Sequence, residues 1–162
     1  MSVISPIELL DTTVLSNFAL VNSTYLLPFI LGNKASSTIE VISEFEQGIQ
    51  RHRLPPTDLT WLNILPLSFN EQLTSEQLKP RLGAGERTCI ALAAHRRGRV
   101  FTDDSLARKI AAELRVPVSG TLGLLVWLVI DGYLQLTQSD QLLSQMVQTG
   151  YRSPVKSISQ LI

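Results

Sequence analysis

Very short apolar runs that stop on a polar or acidic residue, each followed by a stretch long enough for a helix, constrain this chain more than any other feature. Ile7 to Leu10 is one such run, held between Pro6 and Asp11, and "RVFTDD" at 99–104 is another. A short, wholly apolar segment bounded by turn residues suits a strand covered on both faces better than one with a wet side. Strands of that kind joined through helices form a parallel sheet with right-handed crossovers on both faces. The expected class is therefore α/β, with a central, mostly parallel sheet of short strands. A hydrophobic content of 44% against 17% charged residues is ordinary for a sheet buried in this way.

Helices fall between the strands by their spacing. "TTVLSNFALVN" (12–22) brings Val14, Leu15, Phe18 and Leu20–Val21 round at helical intervals. "ASSTIEVISEFEQGIQRH" (35–52) offers Ser37 or Thr38 as a cap, with Ile39, Ile42, Phe45 and Ile49 on one face and room for a very short strand before it. After the break at Pro55–Pro56, "LTWLNILPLS" (59–68) reads as a strand near the sheet edge, because Pro66 removes a ladder donor. "GAGERTCIALAAHRRG" (83–98) is a helix opened and closed by glycines, and "SLARKIAAELRV" (105–116) an amphipathic helix with Ser105 as its cap. "PVSG" (117–120) is a last short strand, "TLGLLVWLVIDGYL" (121–134) a buried helix and "SDQLLSQMVQTG" (139–150) a final one. The remaining "YRSPVKSISQLI" (151–162) is expected to be a tail, frayed or docked on a partner.

Charge and composition narrow the function. Fourteen basic and fourteen acidic side chains cancel, so no global field draws the chain to nucleic acid or membrane. Nine of the basic residues, however, lie between Lys79 and Arg115 and could make a local basic surface. Cys89 stands alone, which excludes an internal disulfide and a cysteine-based metal site. "MSVISPIELLD" lacks the basic start and apolar core of a signal peptide. The run Leu122 to Ile130 is too short to span a bilayer, which takes about 20 residues. A cytoplasmic protein with no membrane association is expected. His52 and His95 are too few and too scattered for zinc, Gly83–Ala84–Gly85 lacks the lysine of a P-loop, and Trp61 and Trp127 read as core.

The acids carry the chemistry. Asp11 and the pair Asp103–Asp104 end strands, and in parallel sheets ligands bind at the carboxyl ends of strands. Glu44 lies in the second helix and Glu86 in the first turn of another. Singly, each has a plain account: Asp11 caps a helix, Glu86 favours a helix dipole, and Glu44 is a solvated acid. Gathered at one sheet edge they would repel one another unless a cation sat among them.

"LLDTTVLSNFA", "SSTIEVISEFEQG", "GAGERTCIALAAHRRGRVFTDDSLARKIA" and "VSGTLGLLVWLVIDGYL" together resemble the PIN-domain family, the ribonuclease fold of VapC-type toxins and related nucleases. The order and approximate spacing hold from about residue 7 to 134, and "GE…IALA…TDD…GTLG" looks like one branch of that family rather than the toxins themselves. The resemblance implies a three-layer α/β/α sandwich, with 1–150 as the domain and 151–162 as the tail. It implies a Mg2+ or Mn2+ site held by Asp11, Glu44, Glu86 and Asp104, with Asp103 as an alternative ligand or a group behind it. Toxins commonly carry an Asp three residues ahead of the Ile of this helix, whereas Glu86 stands four ahead of Ile90; its longer side chain would make up the difference. Thr12 or Thr102 would hold a metal-bound water or orient Asp11. Hydrolysis of RNA phosphodiesters would follow, with Arg87, Arg96, Arg97 and Arg108 as candidates to hold the phosphate backbone. Hard divalent cations suit such an all-oxygen set. Two other expectations belong to the same resemblance: an antitoxin partner if the chain is a toxin, and a homodimer, since "TLGLLVWLVI" and "LLSQMVQ" carry more apolar surface than one small sheet needs. The competing reading is a PIN fold kept as a binding or assembly module with weak or no catalysis.

Overall fold

The computed structural model describes residues 6–162. The N-terminal stretch that lacks signal-peptide character begins with residues 1–5, and those five lie outside the described residues. The sheet has five strands in the order β3-β2-β1-β4-β5, all parallel: β1 Glu8–Leu10, β2 Ala35–Ser37, β3 Asn63–Ile64, β4 Arg99–Phe101 and β5 Val118–Ser119. Helices α1 Thr12–Leu20, α2 Leu27–Leu31, α3 Ile39–Gln50, α4 Phe69–Gln77, α5 Ala84–Arg96, α6 Ser105–Glu113, α7 Thr121–Ile130 and α8 Leu136–Gln148 flank it, completing an α/β/α sandwich. One set, α4, α5 and α6, packs together; another, α1, α7 and α8, packs together; and α3 touches both α1 and α5.

The strands are short because only their middles are needed. Leu9, Leu10, Val100 and Phe101 are at most 1% exposed, so each contributes apolar side chains to both faces of the sheet. Between β1 and β4 a buried ion pair joins Glu8 to Arg99, through Nη2–Oε1 at 2.5 Å and Nε–Oε2 at 2.8 Å. The Arg99 guanidinium also lies 5.2 Å from the Phe101 ring centre and 5.4 Å from that of Trp127. From β1 the chain crosses in one direction to β2 and β3, then returns past β1 to β4 and β5. That makes the gap between the carboxyl ends of β1 and β4 the topological switch point, where crossovers diverge and leave a crevice.

Several local readings are revised. α6 is capped by Asp104, not Ser105: Asp104 accepts from the Ala107 amide at 2.8 Å. The stretch 22–34 forms two 3-10 turns around α2, and α4 is set by a Ser68–Glu71 capping box; neither has an apolar periodicity strong enough to announce it. "LTWLNILPLS" supplies only two residues of strand, at the edge as expected. Residues 151–162 dock on the chain's own α7 and α8. Ile158 is fully buried, and Asp140 of α8 accepts from the Ile158 amide at 2.6 Å and the Ser159 hydroxyl at 2.8 Å. Of the tryptophans, Trp61 and Trp127 are half-buried against the core, and both histidines are exposed.

Candidate metal centre

The switch point opens into a pocket of about 530 Å³ lined by Asp11, Glu44, Glu86, Asp103 and Asp104, with Thr12, Thr13, Tyr151 and Arg152 among the other walls. The five acids arrive by four elements. Asp11 follows β1 and caps α1, Asp103 and Asp104 follow β4, Glu44 projects from the middle of α3, and Glu86 from the first turn of α5.

Asp11 is 1% exposed and held by three neighbours. Its Oδ1 accepts from the Thr12 amide at 2.6 Å; its Oδ2 accepts from the Thr102 hydroxyl at 2.7 Å and the Thr13 hydroxyl at 3.2 Å. Burial nonetheless outweighs these bonds, and with Glu44 nearby its carboxyl is pushed from 3.8 up to about 6. Glu44 is fixed from both sides: the Thr12 hydroxyl donates to Oε2 at 3.0 Å and the Gly85 amide to Oε1 at 2.7 Å. Gly85 permits that approach, since a Cβ there would lie 2.6 Å from Glu44 Oε1. Thr12 thus braces two acids at once, with its amide and its hydroxyl.

Glu86 is pushed from 4.5 up to about 7, first by burial and then by the charges of Asp11, Asp104 and Glu44, against a lowering from the Gly83 backbone. The four acids therefore lie within electrostatic reach of one another. No group of three or more is drawn together at ligand spacing among the described residues. Their chemistry suits a hard divalent cation, being wholly oxygen, and Asp104 Oδ1 has no donor bonded to it among the described residues.

The two neighbouring aspartates are used differently. Asp103 accepts from the Thr121 amide at 2.9 Å and the Thr121 hydroxyl at 2.5 Å, and Asn17 donates to it at 2.9 Å. It ties the end of β4 to the start of α7 and to the body of α1, with both oxygens engaged. Asp104 keeps an oxygen unbonded and contributes to the field at Glu86. Thr102 sits behind Asp11 rather than in the opening, at 1% exposure.

The proposed RNA-holding arginines do not converge here. Arg96 is committed to Glu71 through two contacts of 2.8 Å, and holds that carboxyl down at about 2. It and Arg97 sit at the end of α5 remote from Glu86, roughly 15 Å along the axis at 1.5 Å per residue. Arg87 turns into a separate cavity beside Ile39 and Leu65. Arg108 lines a cavity adjoining the acidic one. The basic side chain in the acidic lining is Arg152, which sequence reasoning missed because it lies in what looked like a tail. Thr13, Asn17 and Thr121 were missed too; only the proximity of two hydroxylated residues to Asp11 hinted at Thr13.

A parallel α/β/α sandwich with four carboxylates around its switch point defines a class of domain built to bring acids to one crevice. A PIN-domain family model matches residues 7–162, and the chain belongs to the PIN-domain family. Members of that family are generally nucleases that use divalent metals and act on RNA. No curated protein matches the sequence.

Proposed function

We propose that this protein is a Mg2+- or Mn2+-dependent ribonuclease acting in the cytoplasm, with Asp11, Glu44, Glu86 and Asp104 as the groups that hold the ion. The observation that carries the reading is the convergence of these four acids on one pocket, close enough that the charges of Asp11, Asp104 and Glu44 add to the burial that raises Glu86. Such an arrangement costs stability without a cation and is favourable with one. A bound ion would supply a nucleophilic water and neutralise charge at the leaving oxygen. The chain's own residues do the rest. Thr102 and Thr13 point Asp11 into the pocket, the Gly85 amide and Thr12 hydroxyl aim Glu44, and Glu86 reaches the same pocket from the first turn of α5.

A second reading, a binding or assembly module with weak catalysis, is favoured by the spread of the acids, which form no ready cluster. The two separate in one experiment. Melting the protein with and without Mn2+, beside Asp11→Asn, should show a rise of several degrees in the wild type only, because a ligand that binds the native state raises the midpoint. Metal-dependent cleavage of RNA, lost in the variant, completes the test. No rise in either protein selects the binding module.

Two partners belong to the proposal. A toxin would need an antitoxin segment that covers the acidic pocket. Self-association would use the end of α7, where Ile130 is 63% exposed and the rings of Phe29 and Tyr133 stack on the surface 5.2 Å apart. Light scattering should give twice the 17.9 kDa chain mass, and Ile130→Asp should return it to one.

A further inference from the structure

Beside the acidic pocket lies a second cavity of about 260 Å³, in which Arg108, Ser119 and Gly120 face Tyr151 and Arg152. Asp103, Tyr151 and Arg152 line both spaces, so they form a common wall between them. Arg108 is held in place although its side chain reaches solvent. Its Nη1 donates to the Thr102 carbonyl at 3.0 Å, and a Cβ on Gly120 would come within 3.0 Å of the same nitrogen. The glycine leaves room for that nitrogen beside the backbone. Arg152 has no acidic partner at ion-pair distance among the described residues. Asp103 is the cavity's only acid among the described residues, and both its oxygens already accept from Thr121 and Asn17. What the cavity has left to offer is donors: two guanidinium groups and two hydroxyls.

A polyanion approaching the acidic pocket meets five carboxylates and one arginine. It needs a cationic anchor close by, and the arginines of α5 do not supply one. We propose that the cavity of Arg108 and Arg152 is a phosphate subsite, which holds a backbone phosphate of an RNA strand next to the bond presented to the acids. This rests on the ribonuclease reading. Arg152 is the hinge of the arrangement, because it belongs to both spaces, and a guanidinium suits two phosphate oxygens at once.

The test measures binding of a short single-stranded RNA in EDTA across a salt series, so that no cleavage intrudes. Arg152→Gln should raise Kd on the order of tenfold and reduce the salt slope by about 0.7, the loss of one phosphate contact on a single strand. Arg152→Lys should keep most of the slope. Arg115→Gln, which removes the same charge at the far end of α6, should leave both values unchanged. Equal Kd and slope for wild type and Arg152→Gln would overturn the subsite and leave the ribonuclease reading standing. Equal losses in Arg152→Gln and Arg115→Gln would overturn it as well, since charge alone would then explain them. A wild type with no salt-dependent RNA affinity would overturn both readings. Inorganic phosphate that raises the melting point through Arg152, with RNA unbound, would assign the cavity to a free anion and refute the backbone role.

Discussion

Asp11→Asn is the substitution whose outcome the structure specifies most fully. The Asp11 carboxyl is raised from 3.8 to about 6, so its ionised form is disfavoured in the fold. A group raised in this way stabilises the protein fully below its unfolded value and loses that contribution as pH climbs through the folded one. Ionisation of Asp11 therefore withdraws stability between about pH 4 and 6, by roughly 3 kcal/mol at 1.36 kcal/mol per unit. Asparagine escapes that cost. It keeps the Thr12 amide bond at Oδ1 and serves as well as aspartate as a helix cap. It gives up the oxygen that accepts from Thr102 and Thr13, which returns about 1–2 kcal/mol. At pH 7.5 without metal the variant should be more stable by about 1–2 kcal/mol, or a few degrees in Tm for a chain of this size. At pH 4 the gain should vanish or reverse. Urea melts at both pH values in EDTA measure it. A variant less stable at pH 7.5 than at pH 4, relative to wild type, would refute the account of the acidic pocket.

Other outcomes rest on single contacts. Gly85→Ala should leave stability near wild type, since helix propensity improves by about 1 kcal/mol, yet weaken Mn2+ binding in calorimetry by displacing Glu44. Glu71→Gln should cost about 1–3 kcal/mol at pH 7 by removing the charge from a two-contact pair with Arg96. Because Glu71 is lowered to about 2, its contribution is present above 4.5 and fades as pH falls toward 2, so the penalty should shrink in acid urea melts; RNA binding should not change. Ile158→Ala should cost about 2–4 kcal/mol in a denaturant melt, because the residue is fully buried; a surface-like loss would contradict the docking of 151–162.

The fold was legible because its signals are local. Each of the runs ending in Asp11 and Asp104 is bounded by residues that cannot continue a strand, and α3 and α6 show clear amphipathic spacing. The four acids were legible through the family pattern and the strand-end rule. What escaped was decided by tertiary contact. Arg96 looks like any exposed arginine until Glu71, twenty-five residues away, is seen against it. Asp103 and Asp104 are chemically identical, and only the position of Thr121 shows which one is tied down. Residues 151–162 lack a periodic pattern, so neither their docking nor the placement of Arg152 in the pocket could be read in advance.

The Glu8–Arg99 pair has a reach beyond its own contacts. β1 and β4 share only three paired positions, and so short a ladder says little about which residue faces which. A slip of one residue would turn every side chain to the opposite face. The pair acts as an index pin at the amino ends of these strands. It fixes Leu10 opposite Phe101, and so sets where Asp11 and Thr102 emerge, about 10 Å farther along. Damage to this pin would therefore imitate loss of one of the proposed metal-holding acids while leaving all four in the chain. Under the ribonuclease proposal, a screen for inactive variants should return Glu8 and Arg99 alongside the acids themselves.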